Sequence, residues 1–143
     1  MSDSVRLVLF PDGTTVAAAP LAARQEDDPL RDYGLYCDPQ WEPTWDANLI
    51  DWPDFGVPTD SEDAAGLIVS AFSRAKEGEH IEIGCIGALG RTGTVLACMA
   101  VLAGVPAESA VDWVRANYDS RAVETTEQAD WVLWFGTWFR GRD

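Results

Sequence analysis

The sequence predicts an α/β fold, with a central sheet flanked by helices and an N-terminal β-hairpin, and three observations carry that prediction. The first half holds short β-type runs broken by turn residues. The second half is helical with a single strand, Ile81-Glu82-Ile83, set inside it. That strand leads through a glycine-rich stretch into an almost wholly apolar helix, the pattern of a helix buried at the centre of a domain.

Each element has its own local cause. Val5 to Phe10 and Thr15 to Ala19 read as strands joined by the turn Pro11-Asp12-Gly13-Thr14, which makes the hairpin. Residues Pro20 to Asp32 lose periodicity and gather charge, including Gln25-Glu26-Asp27-Asp28-Pro29, as a solvated loop does. Gly34 to Cys37 and Ala47 to Asp51 read as short strands, separated by a Pro- and Trp-containing connection from Asp38 to Trp45. Thr59-Asp60-Ser61-Glu62 has capping-box spacing, with Thr59 as the cap. The helix it starts puts Leu67, Ile68, Ala71, Phe72 and Ala75 on one face and ends at Gly78. The apolar helix runs from about Thr92 to Ala103, closed by Gly104 and blocked by Pro106. Helices from about Pro106 to Tyr118 and Thr126 to Phe139 complete the chain. There is no internal repeat.

Composition narrows the class. A length of 143 residues fits one compact domain, 1–143, and 47% hydrophobic with 24% charged residues is the balance of a globular protein. A net charge of −14 argues against nucleic acid and against anionic membrane surfaces as partners. The start, Met1-Ser2-Asp3-Ser4, is acidic where a signal peptide is basic, and no apolar run reaches the roughly 20 residues of a membrane span. Cys37, Cys85 and Cys98 are three in number with no Cys-x-x-Cys pair, so neither a disulfide framework nor a zinc site is expected, and a reducing cytoplasm is.

The segment Ile83-Gly84-Cys85-Ile86-Gly87-Ala88-Leu89-Gly90-Arg91-Thr92-Gly93-Thr94 carries the chemistry. A strand ends, the chain curls through glycines, and a helix begins. Successive N–H groups of Ile86, Gly87, Ala88, Leu89, Gly90 and Arg91 in such a curl form an anion nest, reinforced by the helix dipole. Cys85 at its base gains a stabilised thiolate, and Arg91 forks onto a phosphoryl group held over the sulfur. Nucleophile, oxyanion cradle and clamp together suit phosphoryl transfer through a phosphocysteine, with no metal or cofactor. The bland alternative is a buried free cysteine beside an ordinary helix start; Gly90, Thr92 and Gly93 around Arg91 weigh against it.

At these residues the chain resembles the cysteine-dependent protein tyrosine phosphatase superfamily, whose signature is Cys-x5-Arg followed by Thr or Ser. Trp52-Pro53-Asp54-Phe55-Gly56-Val57-Pro58 looks like its mobile general-acid loop, and Ala122-Val123-Glu124-Thr125-Thr126-Glu127-Gln128 like the loop that positions the hydrolytic water. The resemblance covers roughly Ala47 to Val132, and the short gap from Asp54 to Cys85 is similar to the compact dual-specificity branch. It implies that Asp54 protonates the leaving oxygen. Gln128 either orients the water or, since Thr125-Thr126-Glu127-Gln128 is itself a capping box, caps the last helix. Thr92 either helps the thiolate leave or is an ordinary helix residue.

Some features depart from the family or stay open. The family places His before its cysteine; here Gly84 stands there and the single histidine is His80. No basic residue lies between Cys85 and Arg91, which disfavours an inositol phosphate. Tyr33, Tyr36 and the Trp41–Trp45 region line an entrance or are plain core and surface aromatics. Trp131-Val132-Leu133-Trp134-Phe135 and Trp138-Phe139 belong to the core or to a homo-oligomer surface. Cys98 is inert packing, while oxidation links Cys37 or Cys98 to Cys85 on the sharper reading. The resemblance implies hydrolysis of phosphotyrosine, with or without phosphoserine and phosphothreonine, in a protein or a small phosphomonoester. The alternatives are a catalytically weak phosphate-binding module and a nucleotide or RNA 5′-phosphatase.

Overall fold

The computed structural model describes residues 5–20, 32–38, 45–86 and 89–142. The solvated loop (its residues 21–31), Trp41 with the rest of 39–44, and Gly87 and Ala88 of the glycine-rich stretch lie outside the described residues. The elements in chain order are β1 (Arg6–Leu9), β2 (Thr15–Pro20), β3 (Tyr33–Tyr36), β4 (Ala47–Leu49), α1 (Ser61–Lys76), β5 (Ile81–Cys85), α2 (Gly90–Leu102), α3 (Ala107–Asn117) and α4 (Thr126–Arg140).

The strands form one five-stranded sheet in the order β1-β2-β5-β3-β4. The hairpin pair β1–β2 is antiparallel, with Val8 opposite Val16, and the other pairings are parallel. β5 is therefore central, and all five of its residues are buried. Parallel pairing brings the C-terminal ends of β2, β3 and β5 to one edge, with Cys85 opposite Pro20 and Gly84 opposite Tyr36. That edge is where open parallel sheets hold ligands. Pairing on both sides also explains why β5 runs two residues past Ile83, the expected end: Gly84 O accepts from Cys37 N at 2.8 Å.

α1 packs on the sheet and on α2, and α3 and α4 pack on α2. α2 is buried from Gly90 through Ala100, as its apolar sequence demands, and it starts two residues earlier than Thr92. The cap of α1 differs from expectation. Asp60, not Thr59, is the N-cap and accepts from Asp63 N at 3.1 Å. Thr59 is already engaged: its hydroxyl reaches Asp51 O at 3.3 Å and Asp51 Oδ2 at 3.2 Å. Gly78, with φ +97°, follows the end of α1 in the left-handed region that glycine adopts freely.

The aromatic residues left open by the sequence now have places. Tyr33 and Tyr36 are buried on β3, and the Tyr36 hydroxyl and Glu82 Oε1 lie 2.6 Å apart, so they are not entrance residues. Trp131, Val132 and Phe135 belong to the core, whereas Leu133 and Phe139 are exposed on α4. Among the described residues no helix is long and apolar enough to cross a membrane.

Candidate active site

The site forms where β5 ends and α2 begins. Cys85, the last residue of β5, is buried, and the Thr92 hydroxyl donates to its Sγ at 3.0 Å. Thr92 is the third residue of α2, so one helical turn folds its side chain back over the strand end.

Arg91 is held by two other segments. Its Nη1 donates to Cys37 O at 2.9 Å, just beyond β3, and to Trp52 O at 3.0 Å. The side chain is only 8% exposed, yet Nε is buried with no hydrogen-bond partner among the described residues. Such an orphan is costly unless an acceptor arrives. Asp54 Oδ1 stands 3.7 Å from Nε, and the Asp54 side chain is 63% exposed. A buried guanidinium and an exposed carboxyl group thus face each other.

The start of α2 supplies further donors. Leu89 occupies its N-cap position without a side-chain cap, in contrast to Asp60 on α1 and Thr125 on α4. Its first N–H groups are those an anion satisfies. Ile86 is exposed beside Cys85, and the Glu124 carboxylate lies against Gly90, in the space a β-carbon would fill. Gly93 is required by close approach: a β-carbon there would stand 2.6 Å from that of Ala122.

Gln128 is fully buried in the first turn of α4. Thr125 caps the helix by accepting from Gln128 N at 3.1 Å. The Gln128 side chain does something else: Oε1 accepts from Glu124 N at 2.8 Å, and Nε2 donates to Gly56 O at 3.1 Å. Gly56 O also accepts from Trp52 Nε1 at 2.7 Å. Gln128 therefore joins the loop containing Asp54 to the turn before α4.

The other two thiols are buried. Burial pushes both Cys37 and Cys98 well above the ordinary thiol range; for Cys37 the nearby Cys85 adds to this while Arg91 opposes it. None of the three cysteines forms a disulfide among the described residues. His80 sits before β5 at the opposite end from Cys85, about 16 Å along the strand at 3.3 Å per residue, and pairs with Asp32. Among the described residues no group of three or more His, Cys, Asp or Glu side chains gathers to hold a metal.

Some contributors escaped the sequence reading. Arg115 Nε donates to Ala122 O at 2.9 Å and its Nη2 to Val123 O at 2.7 Å, fixing the turn in which Val123 adopts φ +62°. A lone arginine in the last turn of α3 signals only dipole compensation, because backbone carbonyls leave no mark in a sequence.

No family model matches the chain. Two uncharacterized proteins of Methanocaldococcus jannaschii are 41% identical over 80 residues and 40% identical over 82 residues, each match covering 56% of this chain. The chain spans about half the length of these curated relatives, 52% and 48%. Among solved structures, Tk-PTP in its active form superposes with a TM-score of 0.75 at 25% identity, covering 96% of this chain and 99% of that one. Kinase-associated phosphatase, with serine in place of its catalytic-site cysteine, gives a TM-score of 0.73 at 14% identity over 100% of both chains. The chain has the protein tyrosine phosphatase fold, in its compact dual-specificity-like form. PTPMT1 shares that fold with a TM-score of 0.65 at 12% identity, over 96% of this chain and 98% of that one. Gly84, where the resemblance leads one to expect histidine, lies on β5 opposite Tyr36, and the Thr92 hydroxyl donates to Cys85 Sγ.

Proposed function

We propose that this chain is a cysteine-dependent phosphatase of the protein tyrosine phosphatase type, hydrolysing phosphate monoesters through a phosphocysteine. Phosphotyrosine, in a protein or as a small monoester, is the first substrate class, and phosphoserine and phosphothreonine extend it to dual specificity. The observation that carries the reading is Arg91. It is a guanidinium anchored through Nη1, with a buried Nε lacking a partner among the described residues, so a cation is fixed in place before any anion arrives.

On this reading the reaction runs in two steps. The Cys85 thiolate attacks phosphorus, with Arg91 and the first amides of α2 holding the non-bridging oxygens. The bond from phosphorus to the leaving oxygen breaks, its electron pair goes to that oxygen, and Asp54 supplies the proton. Water then attacks the phosphocysteine and Asp54, now a carboxylate, takes the water's proton. The sulfur–phosphorus bond breaks, its pair returns to sulfur, and the Thr92 hydroxyl donates to the departing thiolate. Arg91 and the backbone dipoles supply the positive potential. A nucleophilic thiol must stay reduced, which suits a reducing, cytoplasmic setting.

Turnover of an aryl phosphate by the purified chain tests the proposal. Hydrolysis blocked by vanadate, unaffected by EDTA and abolished in Cys85→Ser is the expected result. A folded protein that turns over no aryl or peptide phosphate overturns it and leaves a phosphate-binding module.

A further inference from the structure

The loop that carries Asp54 is built around one carbonyl. Gly56 O accepts from the Trp52 indole at 2.7 Å and from Gln128 Nε2 at 3.1 Å, which fills both of its lone pairs. Between Asp54 and Gly56 stands Phe55 with φ +63°, a left-handed conformation that a bulky aromatic adopts only when its surroundings impose it. The Pro53 O to Gly56 N turn bond, 2.9 Å, closes that tight reversal. Phe55 N donates to Asp54 Oδ1 at 3.0 Å, so the same strained residue orients the carboxyl group that faces Arg91.

The donors to Gly56 O are themselves buried. Trp52 is 1% exposed, packs on Trp131 at 5.4 Å between ring centroids, and gives its own carbonyl to Arg91. Gln128 is fully buried, and its Oε1 is committed to Glu124 N. Swinging the loop outward would strip Gly56 O of both donors and strand a buried carboxamide, which burial penalises.

We propose that Gln128 is a positioning residue for Asp54: together with Trp52 it clamps Gly56 O and keeps the general-acid loop seated against Arg91 before substrate arrives. The inference rests on the phosphatase reading above and adds to it a cause for the aim of Asp54. It assigns Gln128 to the first chemical step, whereas a water-orienting glutamine acts in the second.

The two roles separate kinetically. kcat/KM reports events up to phosphocysteine formation, and kcat reports its hydrolysis as well. The test compares the full chain with Gln128→Met, of similar volume and without the donor, and with Trp52→Phe, which removes the other donor to Gly56 O. The substrates are 2,4-dinitrophenyl phosphate, whose leaving group needs no proton, and phenyl phosphate, whose leaving group does. Each variant is expected to lose roughly tenfold or more in kcat/KM on phenyl phosphate and no more than about twofold on the dinitrophenyl ester. In an Asp54→Asn background the same changes are expected to add nothing, because the acid they aim is gone. Equal losses on both esters, or a loss in kcat alone with a burst of phenol, overturn the clamp and leave the phosphatase reading standing. Failure of the parent chain on both esters overturns the two together. Should Gln128→Met not fold, Trp52→Phe decides by the same criteria.

Discussion

Arg91 and Asp54 face each other at 3.7 Å between Nε and Oδ1, close enough for attraction and too long for a direct hydrogen bond. The separation leaves the buried Nε without a hydrogen-bond acceptor among the described residues, with the carboxyl group beside the guanidinium. Removing that carboxyl group is therefore expected to act on the proton and not on binding. Asp54→Asn should slow phenyl phosphate by about 100-fold or more in kcat/KM, with little change on a dinitrophenyl ester. A plot of log kcat/KM against leaving-group pKa checks this, and an unchanged slope would contradict the acid role.

Arg91 is structural as well as electrostatic. Arg91→Lys loses the planar fork, and the carbonyls of Cys37 and Trp52 lose their shared Nη1 donor. The expected outcome is vanadate affinity weakened by at least about tenfold, with about 1–3 kcal/mol of folding stability lost. Isothermal titration and urea unfolding measure the two effects separately.

Thr92→Val keeps the shape and deletes the hydrogen bond to Cys85 Sγ. The departing thiolate of the second step loses its donor, so kcat should fall roughly tenfold while kcat/KM holds, with a burst of phenol in stopped flow. A fall in kcat/KM without a burst would place the Thr92 contact in the first step.

Alkaline pH should destabilise the fold through groups the reaction does not use. Cys37 and Cys98 are held above the ordinary thiol value by burial, and burial also pushes Tyr33 and Tyr118 up to about 12. With folded values above unfolded ones, the native state keeps protons that the unfolded chain releases. Stability is thus whole below the unfolded thiol value near pH 9 and falls as pH rises past it, with the tyrosines joining above about pH 10. Each group costs about 1.4 kcal/mol per pH unit inside its window. Urea midpoints at pH 7, 9 and 10.5 check the trend, and a flat profile refutes it.

A groove of about 740 Å³ opens beyond the loop that carries Asp54, at Val57 and Thr59, and is lined by Asp60, Glu62, Glu127 and Asp130 together with Trp131 and Trp134. Carboxylates at that rim repel a polyanion. A 5′-phosphorylated oligonucleotide is expected to be hydrolysed at least about 100-fold less efficiently than phenyl phosphate, with the gap narrowing as salt screens the repulsion. Equal kcat/KM at low salt would restore the nucleic-acid alternative.

What the sequence made legible was what is local. The strand-to-helix junction at Cys85 and Arg91 spans few residues, with β5 ending at Cys85 and α2 starting at Gly90. The hairpin and the buried α2 were equally open to reading, because alternation and apolarity write themselves along a chain. What stayed hidden joins distant segments through backbone atoms. Gln128 reaches Gly56 across 72 positions, and Arg91 reaches Cys37 across 54. A carbonyl acceptor has no residue type to announce it. The Thr59 cap failed for a related reason: its hydroxyl had a competitor, Asp51, eight positions back.

Arg91 rivets three stretches of chain, those at Cys37, Trp52 and the start of α2. On the phosphatase reading the same guanidinium grips the reaction product, so inorganic phosphate would tighten the scaffold while competing with substrate. The melting temperature would then climb with phosphate concentration, and the enzyme would be sturdiest in the buffer that slows it most.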